Sequence, residues 1–248
     1  MSALAFAAIL PALAVGSFLN VVVARVPLRR SIVSPPSACM ECGHEVGLRD
    51  NIPVVSWIVL KGCCRHCGVG IPIRYPAVEL VTTLLVVACF AVFGATPYAL
   101  LASGFCVVLV ILAAIDVDYR IVPNRIVLPA AAITLVAHTA IDPSVEWALG
   151  ALGASVFLLA AALVYPSGLG MGDVKLALLL GAMLGRNVAL ALMIGFVAAL
   201  VPSVVLFARH GTRARKMAIP LVPFLALGAV VALFAGGALL DWYLATSS

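Results

Sequence analysis

Eight apolar runs, near 3–23, 77–93, 98–115, 126–141, 148–164, 173–184, 188–208 and 219–240, take up most of this chain. Hydrophobic residues make up 65% of its 248 positions and charged residues 10%, whereas a soluble domain is nearer half apolar and a quarter charged. A soluble core cannot absorb that much apolar sequence, and mean hydropathy is +1.22. By hydropathy the runs read as membrane spans. The expected fold is an all-α polytopic membrane protein with about eight transmembrane helices in a lipid bilayer. The first run has no basic residues ahead of it and no Ala-x-Ala-like exit, so it is expected to stay as a helix rather than be cleaved as a signal peptide.

The net charge of +5 and a pI near 9.0 do not mark a nucleic-acid binder, because the basic residues form no single patch or stripe. They lie in the loops. Threading eight spans in series puts Arg25, Arg29, Arg30, Arg49, Lys61, Arg65, Arg74, Arg120, Arg125, Lys175, Arg209, Arg213, Arg215 and Lys216 on one side, and Arg186 alone on the other. The positive-inside rule makes the first side cytoplasmic, with both termini outside. Reading 173–208 as one broken span would instead move the basic loop 209–216 outside. The expected organisation is a first helix over 1–23, a cytoplasmic insert over 24–76 and a membrane-embedded domain over 77–248.

The insert holds "CMECGH" (39–44) and "CCRHCGV" (63–69), each with Cys-x-x-Cys-Gly. That is zinc-knuckle spacing: two thiolates on a tight turn, with the glycine free to take positive φ so that backbone N–H groups face the sulfurs. The shared glycine selects Cys39, Cys42, Cys64 and Cys67, and excludes Cys63. Two such pairs read as one four-cysteine zinc site. A cytoplasmic loop argues against disulfides. Four thiolates leave no position for water, so the metal is expected to be structural, with His44 and His66 as loop residues. Cys89 and Cys106, inside spans, are expected to pack.

Carboxylates are scarce in the membrane part. Asp142, Glu146 and Asp241 read as loop or cap charges, and Glu79 as a partner of Arg74 or lipid headgroups. "AAIDVDYRIVPN" (113–124) and "GLGMGDVKLALLLG" (168–181) remain. Asp116 closes the third span and Asp173 opens the sixth; two spans lie between, so both emerge on one face. Two facing carboxylates that share a proton can activate water and protonate a leaving amine, the chemistry of aspartic proteases. Asp116 and Asp118 point to nearly opposite sides of a helix, so only one joins Asp173, and spacing alone leaves both open. Gly170 and Gly172 are expected to let a substrate backbone approach Asp173 and to tolerate positive φ.

Six stretches in order resemble the type IV prepilin leader peptidases, membrane aspartic proteases of the Gly-x-Gly-Asp kind. They are "GSFLNVVVARVP" (16–27), the paired Cys-x-x-Cys insert, "NIPVVSW" (51–57), "RYPAVEL" (74–80), "IDVDYRIVPN" (115–124) and "GMGDVKL" (170–176). The resemblance implies that Asp116 and Asp173 are the catalytic dyad and Asp118 is not. It also implies cleavage of the basic leader of prepilins and pseudopilins, after a glycine, at the cytoplasmic face of the cell membrane. Members with the cysteine insert N-methylate the new N-terminal residue, usually phenylalanine, with S-adenosylmethionine, and this chain has all four cysteines. No glycine-rich nucleotide loop locates a methyl-donor site. The competing readings are a proton-coupled transporter using Asp116 and Asp173, which would put carboxylates near mid-bilayer, and a zinc-bearing membrane scaffold without chemistry.

Overall fold

The computed structural model describes residues 3–165, 168–211 and 219–247, and it is helical, with no strand among the described residues. Arg213, Arg215 and Lys216 of the expected basic loop lie outside the described residues. In chain order the helices are α1 (Ala3–Ala7), α2 (Ile9–Arg25), α3 (Val55–Val59), α4 (Arg74–Phe93), α5 (Pro97–Tyr119), α6 (Asn124–Ile141), α7 (Glu146–Val164), α8 (Met171–Leu184), α9 (Val188–His210) and α10 (Val222–Ser247). They form two compact units, 1–114 and 115–248, with the division inside α5.

Among the described residues, seven helical stretches are long and apolar enough to cross a membrane, and one of them, Met171–His210, is 40 residues long. That stretch is two helices. A 3-10 turn, Gly185–Asn187, separates α8 from α9. Gly185 sits at φ +52, and a Cβ there would lie 2.5 Å from Glu146 Oε1 and 2.8 Å from Trp147, so glycine alone fits both the backbone and the space. α10 runs antiparallel to α9, with Gly228 on Ala191 and Leu225 on Gly195. α7 runs antiparallel to α8: Gly181 meets Gly150, and Ser155 Oγ donates to the Val174 carbonyl at 3.1 Å. The helix is broken at Gly185, and α8 and α9 are separate helices, as the hydropathy reading expects.

α8 is the core of the second unit. From Val174 to Leu184 nine of its residues are buried, among them Leu176, Leu179, Leu180 and Met183, so it is apolar all round because it is enclosed all round. At ~1.5 Å per residue it is only about 21 Å long. The glycines let its neighbours come close. Gly181→Leu would drive a side chain into the Gly150 carbonyl and is expected to destabilise the unit by about 3 kcal/mol or more, read as lost accumulation in membranes and a lowered thermal midpoint. By contrast Ile133, Val136, Leu152, Val156, Val197 and Val201 are exposed, an outer surface suited to lipid.

In the first unit α2 and α4 pack antiparallel: a Cβ on Gly16 would come within 2.7 Å of Glu79 Cα, and Asn20 Nδ2 donates to the Tyr75 carbonyl one turn away, at 3.1 Å. The insert between them folds as two short knuckles, each closed by a single antiparallel bridge, Ala38 with Glu45 and Cys63 with Gly70.

Candidate functional sites

The two aspartates sit where helices end. α5 stops at Tyr119 with Arg120 at φ 54, its N–H on the Asp116 carbonyl at 2.9 Å. Asp116, one turn earlier, is 7% exposed, and its Oδ2 accepts from Val222 N–H at the start of α10 at 3.0 Å. Asp118, two residues on, is exposed. At the start of α8, Gly170 is the N-cap. Asp173 N–H donates to the Gly170 carbonyl at 3.0 Å, and Asp173 Oδ2 accepts from Gly170 N–H at 3.1 Å. This reciprocal pair of bonds is a capping box closed by backbone on one side. Asp116 and Asp173 lie within electrostatic reach of each other.

The glycines differ from expectation. Gly170 has φ −84, and neither Gly170 nor Gly172 is among the residues at positive φ. A Cβ on Gly172 would sit 2.9 Å from Val122 Cγ2. The small residue is needed because the segment leaving Asp116 packs directly on the first turn of α8. Lys175 Nζ donates to Asn124 Oδ1 at 2.8 Å and ties the same two segments. Close packing, rather than backbone freedom, accounts for Gly172.

The insert gathers a second group. The Sγ atoms of Cys39, Cys42, Cys64 and Cys67 all lie within 4.8 Å of one another, and Cys39 and Cys67 are 3.7 Å apart. Tetrahedral zinc at ~2.3 Å from each sulfur needs sulfurs about 3.8 Å apart, so the cluster can hold a metal ion. Cys63 lies outside it, its thiol on the Lys61 carbonyl at 3.6 Å. The knuckles repeat one pattern. Gly43 and Gly68, at φ +69 and +73, donate to the Cys39 and Cys64 carbonyls at 3.0 and 2.9 Å. The backbone N–H groups of Cys42 and Glu41 hold the Cys39 thiol down at about 6, and those of Cys67 and His66 lower Cys64. Cys67 accepts from Val69 N–H, yet desolvation and the neighbouring sulfurs push it up to about 12. So crowded a set of sulfurs calls for a cation. His44 and His66 stack with ring centres 3.4 Å apart. Asp50 is gripped by Arg65, Nε to Oδ2 at 2.9 Å, which holds its carboxyl below the usual range.

A third group was not assigned from the sequence. Glu79 is 8% exposed, and its Oε2 accepts from Val54 N–H at 2.7 Å. Val54 is β-branched at φ 62, a genuine outlier whose strain is of the order of 1–3 kcal/mol. Asn20 Oδ1 and Thr82 Oγ1, on residues 6% and 1% exposed, are buried without a hydrogen-bond partner. The signal available in the sequence is that three resemblance-bearing stretches, 16–27, 51–57 and 74–80, hold neither aspartate of the pair.

Comparison with known proteins gives a family for the chain. Residues 10–93 match the bacterial peptidase A24 N-terminal domain, and residues 103–204 match the type IV leader peptidase family. A protein of Burkholderia pseudomallei named prepilin leader peptidase/N-methyltransferase is 35% identical, over 94% of this chain and 85% of its own. One of the same name from Bacillus subtilis is 33% identical, over 94% of each chain. A third, from Myxococcus xanthus, is 43% identical over 69% of this chain but only 53% of its own length. No solved structure matches the chain.

Proposed function

Because the chain belongs to the type IV leader peptidase family, we propose that it is a membrane aspartic peptidase that removes the leader of type IV prepilins or pseudopilins, with Asp116 and Asp173 as its dyad. The observation that carries this reading is the pair itself. One aspartate is buried in the last turn of α5, the other lies in the first turn of α8, and each has an oxygen pinned by a backbone N–H. With one carboxylate ionised and the other protonated, the ionised group takes a proton from water as the water oxygen attacks the scissile carbonyl carbon. The protonated group delivers its proton to the departing nitrogen. The asymmetry of basic residues supports a dyad, an insert and a cleavage at the cytoplasmic face of the cell membrane. A proton-coupled transporter needs carboxylates along a path across the bilayer, and these two sit together at helix ends.

The four-cysteine cluster is read as a closed structural zinc site, holding the two knuckles in one fold without taking part in hydrolysis. The second activity of the named relatives is extended to this chain: N-methylation of the newly exposed residue. S-adenosylmethionine supplies an electrophilic methyl group there. Its cationic sulfonium and the α-ammonium, before that gives up a proton to become the nucleophilic amine, would both suit acceptors that lack donors, and Asn20 Oδ1 and Thr82 Oγ1 near Glu79 are of that kind. Co-expression of the chain with a prepilin tests both halves. A shortened pilin whose N-terminal fragment is heavier by one methyl group is the expected result. An intact leader, with the protein accumulated in the membrane, overturns the peptidase reading.

A further inference from the structure

We propose that Glu79 is the catalytic carboxylate of methyl transfer, receiving the free α-ammonium of the cleaved chain and taking a proton from it. The inference rests on the methyltransferase half of the proposed function and names the residues for it. α2 and α4 are pressed together at Gly16 and Glu79, and the Val54 N–H holds the carboxylate in one orientation. A strained β-branched residue that spends its N–H on one glutamate is an expense that packing alone does not require. The surroundings are rich in acceptors. Thr82 lies one turn from Glu79 along α4, and Asn20, one turn from Gly16 along α2, uses its amide to grip Tyr75 and leaves its oxygen unpaired. A buried acceptor without a donor costs about 1–3 kcal/mol, and a ligand carrying several N–H donors relieves that cost. An ammonium is such a ligand. Glu79 is also only five residues into α4, about 8 Å along its axis, so an apolar helix lying in the membrane can bring its N-terminus there.

The step balances. One proton passes from the ammonium to the Glu79 carboxylate, and the freed nitrogen lone pair attacks the methyl carbon of S-adenosylmethionine. The N–C bond forms as the C–S bond breaks, its electron pair stays on sulfur, and the products are a secondary ammonium and S-adenosylhomocysteine.

The test uses the full chain in lipid nanodiscs and two synthetic apolar peptides starting with phenylalanine, one with a free amine and one N-acetylated, so that no cleavage is needed. Without methyl donor, the wild-type protein is expected to bind the free-amine peptide about tenfold tighter than the acetylated one. Glu79→Gln should abolish that preference and, with donor present, methylation of the free-amine peptide. Thr82→Val removes no hydrogen bond within the chain; it should keep the wild-type thermal midpoint while weakening both preference and methylation, a pattern that a merely structural role would not give. Equal wild-type affinity for the two peptides overturns the proposal. So does Glu79→Gln that methylates like the wild type or, if that variant does not accumulate, Thr82→Val with both readouts unchanged. A wild-type protein that binds the free amine selectively but never methylates it sinks the methyltransferase reading and the catalytic role with it, and leaves only an ammonium site.

Discussion

Membranes carrying Asp173→Asn or Asp116→Asn are expected to hold as much protein as the wild type but to remove leaders at least about a thousandfold more slowly, the scale of losing an acid–base group. The amide is isosteric with the carboxylate, so an oxygen is still available to accept from Gly170 N–H at position 173, and from Val222 N–H at position 116. The helix starts therefore persist while the proton chemistry is lost. Asp118 is exposed, whereas Asp116 is buried, and Asp118→Asn should keep most of the activity. Gel mobility of a co-expressed prepilin reads all three. Cleavage near the wild-type rate in either dyad variant would contradict the assignment.

Replacing Cys39, Cys42, Cys64 and Cys67 together by Ser should remove the metal and unfold the insert, because binding at a structural zinc site of this type is worth ~10–16 kcal/mol and is inseparable from folding. Elemental analysis of the purified wild type should find about one zinc per chain. The quadruple variant should have none, and limited proteolysis should cut it within 24–76. Cys63→Ser should keep its zinc, since that thiol bonds the Lys61 carbonyl outside the cluster. Equal loss in Cys63→Ser would mean that the ligand set is wrong.

The parts legible in the sequence were those set by local spacing. Apolar runs gave helices, Cys-x-x-Cys-Gly twice gave two knuckles with glycines at positive φ, and the edges of those runs put Asp116 at the C-terminal end of one helix and Asp173 at the N-terminal end of another. Non-local packing was less legible. Gly172 looks like a source of backbone freedom, and only the position of Val122 shows that it is small because another segment lies on it. α8 is short for a bilayer because protein encloses it almost throughout, a property of its neighbours and not of its own residues. Glu79 read as a carboxylate one turn into its span, suited to Arg74 or lipid headgroups. Its bonding partner, the Val54 N–H, is 25 positions away in the chain, and no local pattern announces a valine held at φ 62.

The central claim, that Asp116 and Asp173 form one catalytic unit, is tested most directly by a double-mutant cycle on leader cleavage, timed against a prepilin in proteoliposomes with protein-free liposomes as baseline. Groups that act as a unit are strongly non-additive. The account predicts that Asp116→Asn, Asp173→Asn and the double variant share one residual rate, because losing either carboxylate already disables the pair. Losses that multiply in the double variant would show two aspartates contributing independently and would contradict it.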